Sequence, residues 1–251
     1  MVRIGVIGAA GRMGRAACAA IRDTGDLELA VAIVRDVDRA PEFGDVPVAA
    51  ALDALTDAGV DVAVELTGPA TVGDHLSWLL GNDIHAVVGA TGLSDTDLHR
   101  ARTLATTTTA NALIVPNFAI GAVLMMEFAA KAAKHLPDVE IVELHHDQKL
   151  DAPSGTALRT AEVISQARPT QPRPAPGDER ARGRHHAGVP VHSVRLPGLV
   201  AHQTVIFGGP GQTLRLQHDA LDRSAFMPGI LLACRQIHRL TGLHVGLEHV
   251  M

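Results

Sequence analysis

Two histidines and a lysine stand close together in a polar stretch, residues 143–157, which reads Glu-Leu-His-His-Asp-Gln-Lys-Leu-Asp-Ala-Pro-Ser-Gly-Thr-Ala. An imidazole can give or take a proton near neutral pH, so His145 is a candidate proton donor. Lys149 adds a positive charge that attracts carboxylates, and it can also donate a proton. A surface histidine or a surface lysine alone is ordinary. Together they predict a site for an anionic substrate that must be protonated.

The end of this stretch predicts the start of a helix. Pro153 followed by Ser154 is typical of a helix N-terminus, with Ser154 as the N-cap and a helix that continues to about Ala167. In the first turn, the backbone N–H groups of Gly155 and Thr156 then form a binding site for a carboxylate. The sequence therefore places an anion site next to the candidate proton donors.

A zinc site is the alternative interpretation of His145 and His146. Two adjacent residues of an extended chain point to opposite sides, and no third ligand follows at a suitable spacing, so we expect no metal. Cys18 and Cys234 are far apart in sequence and have neither a metal-binding nor a redox spacing. A reduced cytoplasmic setting is the simplest interpretation of these two cysteines.

The chain opens with a strand, a glycine-rich turn and a helix. The strand is Val2–Ile7, and an alanine-rich helix is predicted over Arg15–Arg22. The turn between them reads Gly8-Ala9-Ala10-Gly11-Arg12-Met13-Gly14. This order is the context of a dinucleotide-binding fingerprint, although the glycine spacing here is GxxGxxG. The glycines permit the tight turn, the approach of a pyrophosphate and close packing of the helix, whereas a glycine turn without a ligand is the alternative.

Further strands and helices alternate along the first half of the chain. The predicted strands are Leu27–Val34, Val60–Leu66, Ala86–Val88 and Ala112–Val115, with helices that include Thr71–Leu80 and Asp95–Thr106. This alternation predicts a parallel sheet whose ligand lies at the carboxyl ends of the strands. Segments at those ends are expected to surround the nicotinamide, ordinary loops being the alternative: Thr67-Gly68, Gly89-Ala90-Thr91-Gly92 and Pro116-Asn117-Phe118.

The end of the second strand bears on the choice of cofactor. A carboxylate there, about 20 residues beyond the fingerprint, would hold the adenine ribose hydroxyls of NADH. Val34 occupies that place and cannot accept such hydrogen bonds, whereas Arg35 can pair with a 2′-phosphate. We therefore expect NADPH, while Asp36 keeps NADH possible.

Composition limits the class of protein. The chain has 251 residues, of which 47% are hydrophobic but only 2% aromatic, so the core must consist of Ala, Val, Leu and Ile. The net charge of −5 and the absence of basic runs argue against a nucleic-acid partner. We find no signal peptide before the first strand and no unbroken apolar run of about 18 residues, so we expect no membrane partner and a cytoplasmic protein.

The second half predicts a different kind of sheet. Asp138–Leu144 alternates polar and apolar residues, as a half-exposed strand does. Arg168–Arg184 is rich in Pro and Arg and is predicted to be an exposed loop, ending in solvated His185 and His186. Three strands are predicted after it, at Val189–Arg195, Val200–Phe207 and Gln212–Gln217. They indicate an antiparallel sheet with one face available for an oligomer.

The chain is predicted to return to its first domain at the end. Ser224–Leu240 is expected to be a helix capped by Ser224, and Leu243–Leu247 a strand of the first sheet. The fold class is therefore α/β. A Rossmann-type parallel-sheet domain comprises residues 1–116 and 222–251, and a smaller α+β domain with an open, mostly antiparallel sheet comprises residues 117–221.

With these motifs together, the chain resembles the 4-hydroxy-tetrahydrodipicolinate reductase (dihydrodipicolinate reductase) family of the diaminopimelate and lysine pathway. The resemblance covers essentially the whole chain, and the block at residues 143–157 is its most specific part. The stretch Val-Pro-Val-His-Ser-Val-Arg at residues 189–195 resembles actinobacterial members. The family implies hydride transfer from NAD(P)H to a cyclic dicarboxylate imine, with loss of water, in a homotetramer.

The resemblance also implies roles for individual residues. His145 matches the catalytic histidine, which gives a proton to the ring, and Lys149 matches a second proton donor. The implied substrate-binding residues are His146, Gly155, Thr156 and Thr91. The implied cofactor-binding residues are Gly8, Ala9, Ala10, Gly11, Arg12, Met13, Gly89, Ala90, Thr91, Val115, Pro116, Asn117 and Phe118, besides Arg35.

Three segments depart from the usual family pattern. Glu65-Leu66-Thr67 stands where Asp-Phe-Thr is common, Ala90 replaces the first threonine of Gly-Thr-Thr-Gly, and Val34 replaces an acidic residue. The first two changes motivate an alternative, a related reductase of a secondary pathway that acts on another cyclic imine acid. A non-catalytic NADPH-binding regulator is a third hypothesis, against which the retained His145 and Lys149 argue.

Overall fold

A computed structural model describes residues 1–170 and 181–251 of the chain. They form two compact units, one of Met1–Phe118 with Phe226–Met251 and the other of Ala119–Ala225. Most of the predicted loop Arg168–Arg184, residues 171–180, lies outside the described residues. At its end the prediction was wrong, because Arg184–His186 pairs as a short antiparallel strand with the strand that follows.

The first unit contains a seven-stranded sheet whose pairs are all parallel. In chain order its strands are β1 (Val2–Ile7), β2 (Leu27–Ile33), β3 (Val48–Ala49), β4 (Val62–Glu65), β5 (His85–Val88), β6 (Ala112–Ile114) and β12 (Leu243–Val245). The spatial order is β12-β6-β5-β4-β1-β2-β3. Near-continuous apolar runs form the central strands, as expected for a parallel sheet that is buried on both faces. The parallel sheet predicted from the sequence is confirmed.

Five helices accompany this sheet. They are α1 (Arg12–Arg22), α2 (Asp53–Asp57), α3 (Val72–Gly81), α4 (Asp95–Thr107) and α7 (Met227–Gln236). Helix α1 begins at Arg12, three residues before the predicted start, because Gly11 in an extended conformation is already its N-cap. Ser94 caps α4 in a reciprocal capping box with Asp97.

The core of the first unit is aliphatic, as the composition requires. It is built mainly from fully buried Ala, Val, Leu and Ile on both faces of the sheet. Gly229 of α7 packs so closely that an added Cβ would lie 2.0 Å from the carbonyl oxygen of Phe118. This contact fixes α7 to the chain that leaves β6.

The two cysteines of the chain are both buried in this core. Burial raises the pKa of the Cys18 and Cys234 thiols to about 12. We therefore expect neither thiol to react with an aromatic disulfide reagent at pH 8 in the native protein, since the reactive species is the thiolate. Both should react after denaturation in guanidinium chloride, which serves as the control. Stoichiometric labelling of a protein with native circular dichroism would contradict this expectation.

The second unit contains a five-stranded sheet of mostly antiparallel pairs, which confirms the predicted fold class. Its strands are β7 (Asp138–His145), β8 (Arg184–His186), β9 (Val189–Arg195), β10 (Ala201–Gly209) and β11 (Gln212–Ala220). The spatial order is β11-β10-β7-β9-β8. Strand β7 therefore separates β9 from β10 and runs parallel to β9. The last two predicted strands, β10 and β11, are antiparallel neighbours, whereas β9 joins the sheet on the other side of β7.

Two helices cover one face of this sheet. The first is α5 (Ile120–Ala133), which the sequence did not predict, and the second is α6 (Gly155–Ala167), which it did. Side chains from both helices pack with apolar residues of β7, β9 and β10, among them Ile141 and Phe207. Strand β7 thus lies in the centre of the sheet with α6 above it.

The C-terminal segment begins differently from the prediction. Ser224 does not cap the helix, because Arg223–Phe226 forms a 3-10 turn and α7 begins only at Met227, with a proline in its first turn. The carboxylate of Asp222 accepts the backbone N–H of Ser224 at 2.6 Å, so Asp222 supplies the side-chain hydrogen bond where this segment begins. The predicted return to the first sheet is confirmed, since β12 pairs with β6.

Asn111 holds the last segment in place. Its side chain is buried, donates a hydrogen bond to the carbonyl oxygen of Ile237 at 3.2 Å and accepts one from the backbone N–H of Gly242 at 2.9 Å. One amide thus joins the start of β6 to the chain on both sides of the turn before β12. Among the described residues, no helix is both long and apolar enough to span a bilayer.

Candidate active site

A cavity of about 760 Å³ opens at the carboxyl edge of the parallel sheet. The ends of β1, β2 and β4 and the loops that follow them form its walls. Its lining residues are Ile7, Gly8, Ala10, Gly11, Ile33, Val34, Arg35, Ala50, Leu52, Leu66, Thr67, Gly68, Pro69, Ala70, Thr71 and His75. The volume is in the range of small-molecule and cofactor sites.

Glycines shape the wall of this cavity beneath the start of α1. Gly8 has a φ of +81°, and a Cβ there would lie 2.9 Å from the carbonyl oxygen of Leu66. Gly14 allows α1 to pack closely onto the turn, since an added Cβ at this position would lie 2.2 Å from the carbonyl oxygen of Gly8. The helix N-terminus then carries a partial positive charge beside the cavity. This cradle fits the pyrophosphate of a nicotinamide dinucleotide.

The other predicted residues of the fingerprint occupy different places. Ala10 and Gly11 line the cavity, whereas Ala9 is fully buried in the core. Arg12 and Met13 form the first turn of α1 and lie outside the lining. Arg35 lines the cavity next to Val34, which is buried.

A buried carboxylate below the cavity was missed by the sequence analysis as a site residue. Glu65, at the end of β4, is fully buried and bonds to Nδ1 of His75 at 3.0 Å. Its carboxylate also accepts a hydrogen bond from the hydroxyl of Thr67, which lies 2.8 Å from the hydroxyl of Thr71. These bonds fix the loop after β4 that lines the cavity. Glu65 departs from the aspartate of the usual pattern, and that departure was the available signal.

The segments predicted to surround the nicotinamide meet at the ends of β4, β5 and β6. A Cβ on Gly89 would lie 2.5 Å from the ring of Phe118 and 2.8 Å from the side chain of Leu66. Val115 is buried and donates its N–H to Val88 at 2.8 Å. The other predicted residues of these segments are close neighbours in sequence of Gly89, Val115 and Phe118, but they do not line the cavity. They are Ala90, Thr91, Pro116 and Asn117.

In the second unit, the candidate proton donor is held by a buried carboxylate. Glu143, two residues before His145 on the same strand, is fully buried and lies 2.5 Å from Nδ1 of that histidine. Arg195 of β9 donates to both carboxylate oxygens, at 2.8 and 2.9 Å. The imidazole is largely covered, with 13% of its side chain exposed. Neither Glu143 nor Arg195 was predicted as a site residue.

Glu143 is ionised because of these neighbours. Burial alone would raise its pKa, but hydrogen bonds from His145, Arg195 and Ser193 outweigh burial and lower the pKa from 4.5 to about 2. A lowered pKa means that the interactions stabilise the fold fully above about pH 4.5. This stabilisation is lost as the pH falls toward 2.

The predicted helix start lies against the same carboxylate. Ser154 is the N-cap of α6, and its hydroxyl accepts the backbone N–H of Ala157 at 3.3 Å, which confirms the predicted cap. The backbone N–H of Ser154 donates to Glu143 at 3.2 Å. Gly155 is exposed at the helix N-terminus, and an added Cβ there would meet no atom within 4 Å. Thr156 follows it in the first turn of the helix.

Lys149 lies in the loop between β7 and α6. Its Nζ forms an ion pair with Asp151 at 2.7 Å, and its backbone N–H donates to the carbonyl oxygen of His146 at 3.2 Å. Lys149 helps to lower the pKa of Asp151, although burial opposes it. His146 and Lys149 thus lie in the single loop that joins the end of β7, at His145, to the start of α6.

The structure also bears on a metal site and on the second pair of adjacent histidines, His185 and His186. Within residues 1–170 and 181–251, no group of three or more His, Cys, Asp or Glu side chains is arranged to hold a metal ion. His186 lies 3.1 Å from Glu162, whereas His185 is exposed, so these two histidines lie in separate environments. The arrangement around His145 can supply a proton and bind an anion.

Comparison with known proteins extends this picture. A family model described as the N-terminus of dihydrodipicolinate reductase matches residues 2–118, and one described as its C-terminus matches residues 121–251. Similar curated proteins include 4-hydroxy-tetrahydrodipicolinate reductases of Geobacillus thermodenitrificans and Streptomyces coelicolor. They are 46% and 48% identical, and each alignment covers 100% of this chain and 99% or 98% of the relative.

Solved structures show the same similarity. The dipicolinate-bound dihydrodipicolinate reductase of Paenisporosarcina sp. TG-14 is 40% identical, covers 100% of both chains and has a TM-score of 0.89. The apo scyllo-inositol dehydrogenase of Lactobacillus casei shares only the fold, with 12% identity, a TM-score of 0.65 and coverage of 99% of this chain and 91% of that one.

A parallel sheet with a glycine cradle, in a chain this similar to reductases, makes the protein a NAD(P)H-dependent oxidoreductase. The family models account for nearly every residue, and the relatives align from end to end. The chain belongs to the dihydrodipicolinate reductase family.

Proposed function

We propose that the protein reduces 4-hydroxy-tetrahydrodipicolinate to tetrahydrodipicolinate in diaminopimelate and lysine biosynthesis. One hydride and one proton are added, and the hydroxyl leaves as water. Bound NAD(P)H supplies the hydride. The observation that carries the proposal is that His145 bonds to a buried carboxylate, which also contacts the N-terminus of a helix suited to bind an anion. The chain that holds this arrangement aligns with curated reductases over its full length.

The residues of the second unit divide the work on the substrate. His145 gives the proton to the ring, and its position on β7 is fixed by Glu143. Lys149 brings a positive charge that attracts a carboxylate and acts as a second proton donor. His146 and the first turn of α6, with Gly155 and Thr156, bind a substrate carboxylate. The family resemblance further assigns Thr91, in the loop after β5, to substrate and cofactor binding.

NADPH is the proposed cofactor, and Arg35 is the reason. Arg35 lines the cavity at the end of β2, where Val34 offers no acceptor for ribose hydroxyls. Asp36, the carboxylate next to Arg35 in the chain, accepts the backbone N–H of Asp38 at 3.1 Å and lies 3.6 Å from Arg39, outside the cavity lining. A guanidinium in this part of the cavity wall favours a 2′-phosphate.

Replacing Arg35 by alanine should weaken NADPH binding about 10–100-fold, the loss of a hydrogen bond to a charged group, with little change for NADH. Fluorescence titration with each cofactor measures both affinities. Arg39→Ala is the matched control, since Arg39 is an exposed arginine that lies outside the cavity lining. Equal losses for the two cofactors in Arg35→Ala would mean that Arg35 does not bind the 2′-phosphate.

The activity itself is tested by absorbance at the nicotinamide band. A purified synthase makes the substrate in place from pyruvate and aspartate semialdehyde. Oxidation of NADPH that requires both the synthase product and this protein establishes the reductase. Cofactor binding without oxidation would reject the proposal and favour a related reductase acting on another cyclic imine acid. Leu66, which lines the cavity and packs at Gly89, and Ala90 are the positions where such a change of substrate would originate.

We also propose that the protein acts as a cytoplasmic homotetramer. The support is the family resemblance, together with the partly apolar, exposed strand β11 at the edge of the second sheet. Light scattering coupled to gel filtration measures the mass of the particle. A mass of one chain, 26.3 kDa, would reject the tetramer.

A further inference from the structure

Glu143 is a fully buried carboxylate with an unusual set of donors. It faces the imidazole of His145, both terminal nitrogens of Arg195 and the backbone N–H of Ser154. These groups come from β7, β9 and the start of α6. A buried charge is costly unless it is paired and hydrogen-bonded, and here each oxygen has at least two donors, with Ser193 as a further partner of the carboxylate. We call these four residues the Glu143 cluster.

The cluster determines which nitrogen of His145 is available to the substrate. An ionised carboxylate can only accept hydrogen bonds, so the Nδ1 atom that lies 2.5 Å from Glu143 must carry a proton. The pKa of Glu143, lowered to about 2, keeps this carboxylate ionised at neutral pH. The proton that His145 exchanges with a substrate is then on Nε2, at the far side of the ring.

The same carboxylate sets the position of the anion-binding helix start. Oε1 of Glu143 accepts the N–H of Ser154, the N-cap of α6. Arg195 continues the connection, since its second terminal nitrogen also donates to the carbonyl oxygen of Asp151 at 2.7 Å. The loop that carries Lys149 is therefore attached at both ends to a group that contacts Glu143.

We propose that Glu143 is a positioning residue of the reductase, which orients the imidazole of His145 and holds the start of α6 at a fixed distance from it. This inference rests on the proposed function. A carboxylate that fixes the tautomer of a catalytic histidine contributes strongly to turnover without touching the substrate. Glu143 acts in this way through His145, and Arg195 completes the charge balance of the cluster.

Glu143→Gln tests the proposal in the full-length protein. The amide keeps one acceptor oxygen and places an N–H₂ donor against donors, so the imidazole loses its fixed tautomer. We expect kcat to fall on the order of 10²–10³-fold. The Michaelis constant for the substrate should rise only a few fold. NADPH affinity should not change, because the cofactor cavity belongs to the first unit.

Gln203→Leu is the matched control. Gln203 is a buried polar residue directly opposite Glu143 on β10, and it donates to the hydroxyl of Thr160 on α6 at 2.7 Å. It lies beside Glu143 in the sheet, but its side-chain hydrogen bond goes to α6 and not to His145. Its replacement should lower the melting temperature and leave kcat within about threefold, which is less than 1 kcal/mol. If both variants lose kcat in proportion to their melting temperatures, Glu143 has only a structural role and the proposal is wrong.

A proton resonance gives a second readout. A hydrogen-bonded Nδ1–H of His145 should appear downfield of the amide region in the wild type and disappear in His145→Gln and Glu143→Gln. Its absence from the wild type would overturn the proposal even if Glu143→Gln does not fold. A wild type that cannot oxidise NADPH with the synthase product rejects the proposed function instead. An active wild type together with a fully active Glu143→Gln rejects only the role of Glu143.

Discussion

His145→Gln should lower kcat on the order of 10²–10⁴-fold, because the variant lacks the imidazole that delivers a proton to the ring. Glutamine keeps a similar length and polarity, so the loss reports on proton transfer more than on packing. Steady-state oxidation of NADPH with the synthase product measures the effect. The cofactor cavity lies in the other unit, and NADPH affinity should therefore stay unchanged.

His192→Gln provides the control for this substitution. His192 lies on the neighbouring strand β9, pairs with Glu140 at 2.9 Å and is also partly buried, with 29% of its side chain exposed. It has the same side-chain chemistry and the same kind of partner, but it is no part of the Glu143 cluster. We expect this variant to keep its turnover. A His145→Gln protein with near wild-type kcat would show that another group supplies the proton.

Gly14→Ala should damage the cofactor site by steric overlap. The new methyl group would lie 2.2 Å from the carbonyl oxygen of Gly8 and 2.7 Å from the Cα of Ala9, so the turn or α1 must move. Overpacking of this kind costs about 1–3 kcal/mol. If the displaced turn loses the same amount of binding energy, NADPH affinity falls roughly 5–100-fold. Thermal unfolding and a cofactor titration measure the two effects.

Gly81→Ala is the glycine-to-alanine control in the same unit. Gly81 is the last residue of α3, it is exposed, and an added Cβ would meet nothing within 4 Å. Alanine is the better helix former, so stability should stay the same or rise by up to about 1 kcal/mol. Wild-type cofactor affinity in Gly14→Ala would contradict the assigned role of the glycine turn.

Local patterns explain which elements the sequence could predict. Strand β1, the glycine turn and the start of α6 each depend on residues within about ten positions, and the Ser154 cap is the clearest case. Helix α5 was missed because Ile120–Ala133 is apolar on nearly every face and shows no clear helical period. The late start of α7 was missed because Ser224 has the residue type of a cap, while Asp222 supplies the bond.

Long-range pairing explains the rest. The position of β7 between β9 and β10 depends on pairing with residues some 50 to 70 positions later, which no local pattern records. For the same reason, the motif contained Glu143 but not its partner Arg195, 52 residues away. The candidate proton donors were therefore predictable from residue type, whereas the groups that orient them were not.

The division of the first unit between the two ends of the chain determines when it can be completed during synthesis. The segment up to Phe118 leaves the ribosome first, but β6 lacks its neighbour β12 and Asn111 lacks both its bonds until residues 237–245 arrive. At roughly 5–20 residues per second, this interval lasts on the order of ten seconds. During that time the growing chain exposes an unpaired strand edge, which is a site for aggregation. The half of the protein that is encoded first is thus the last to be finished.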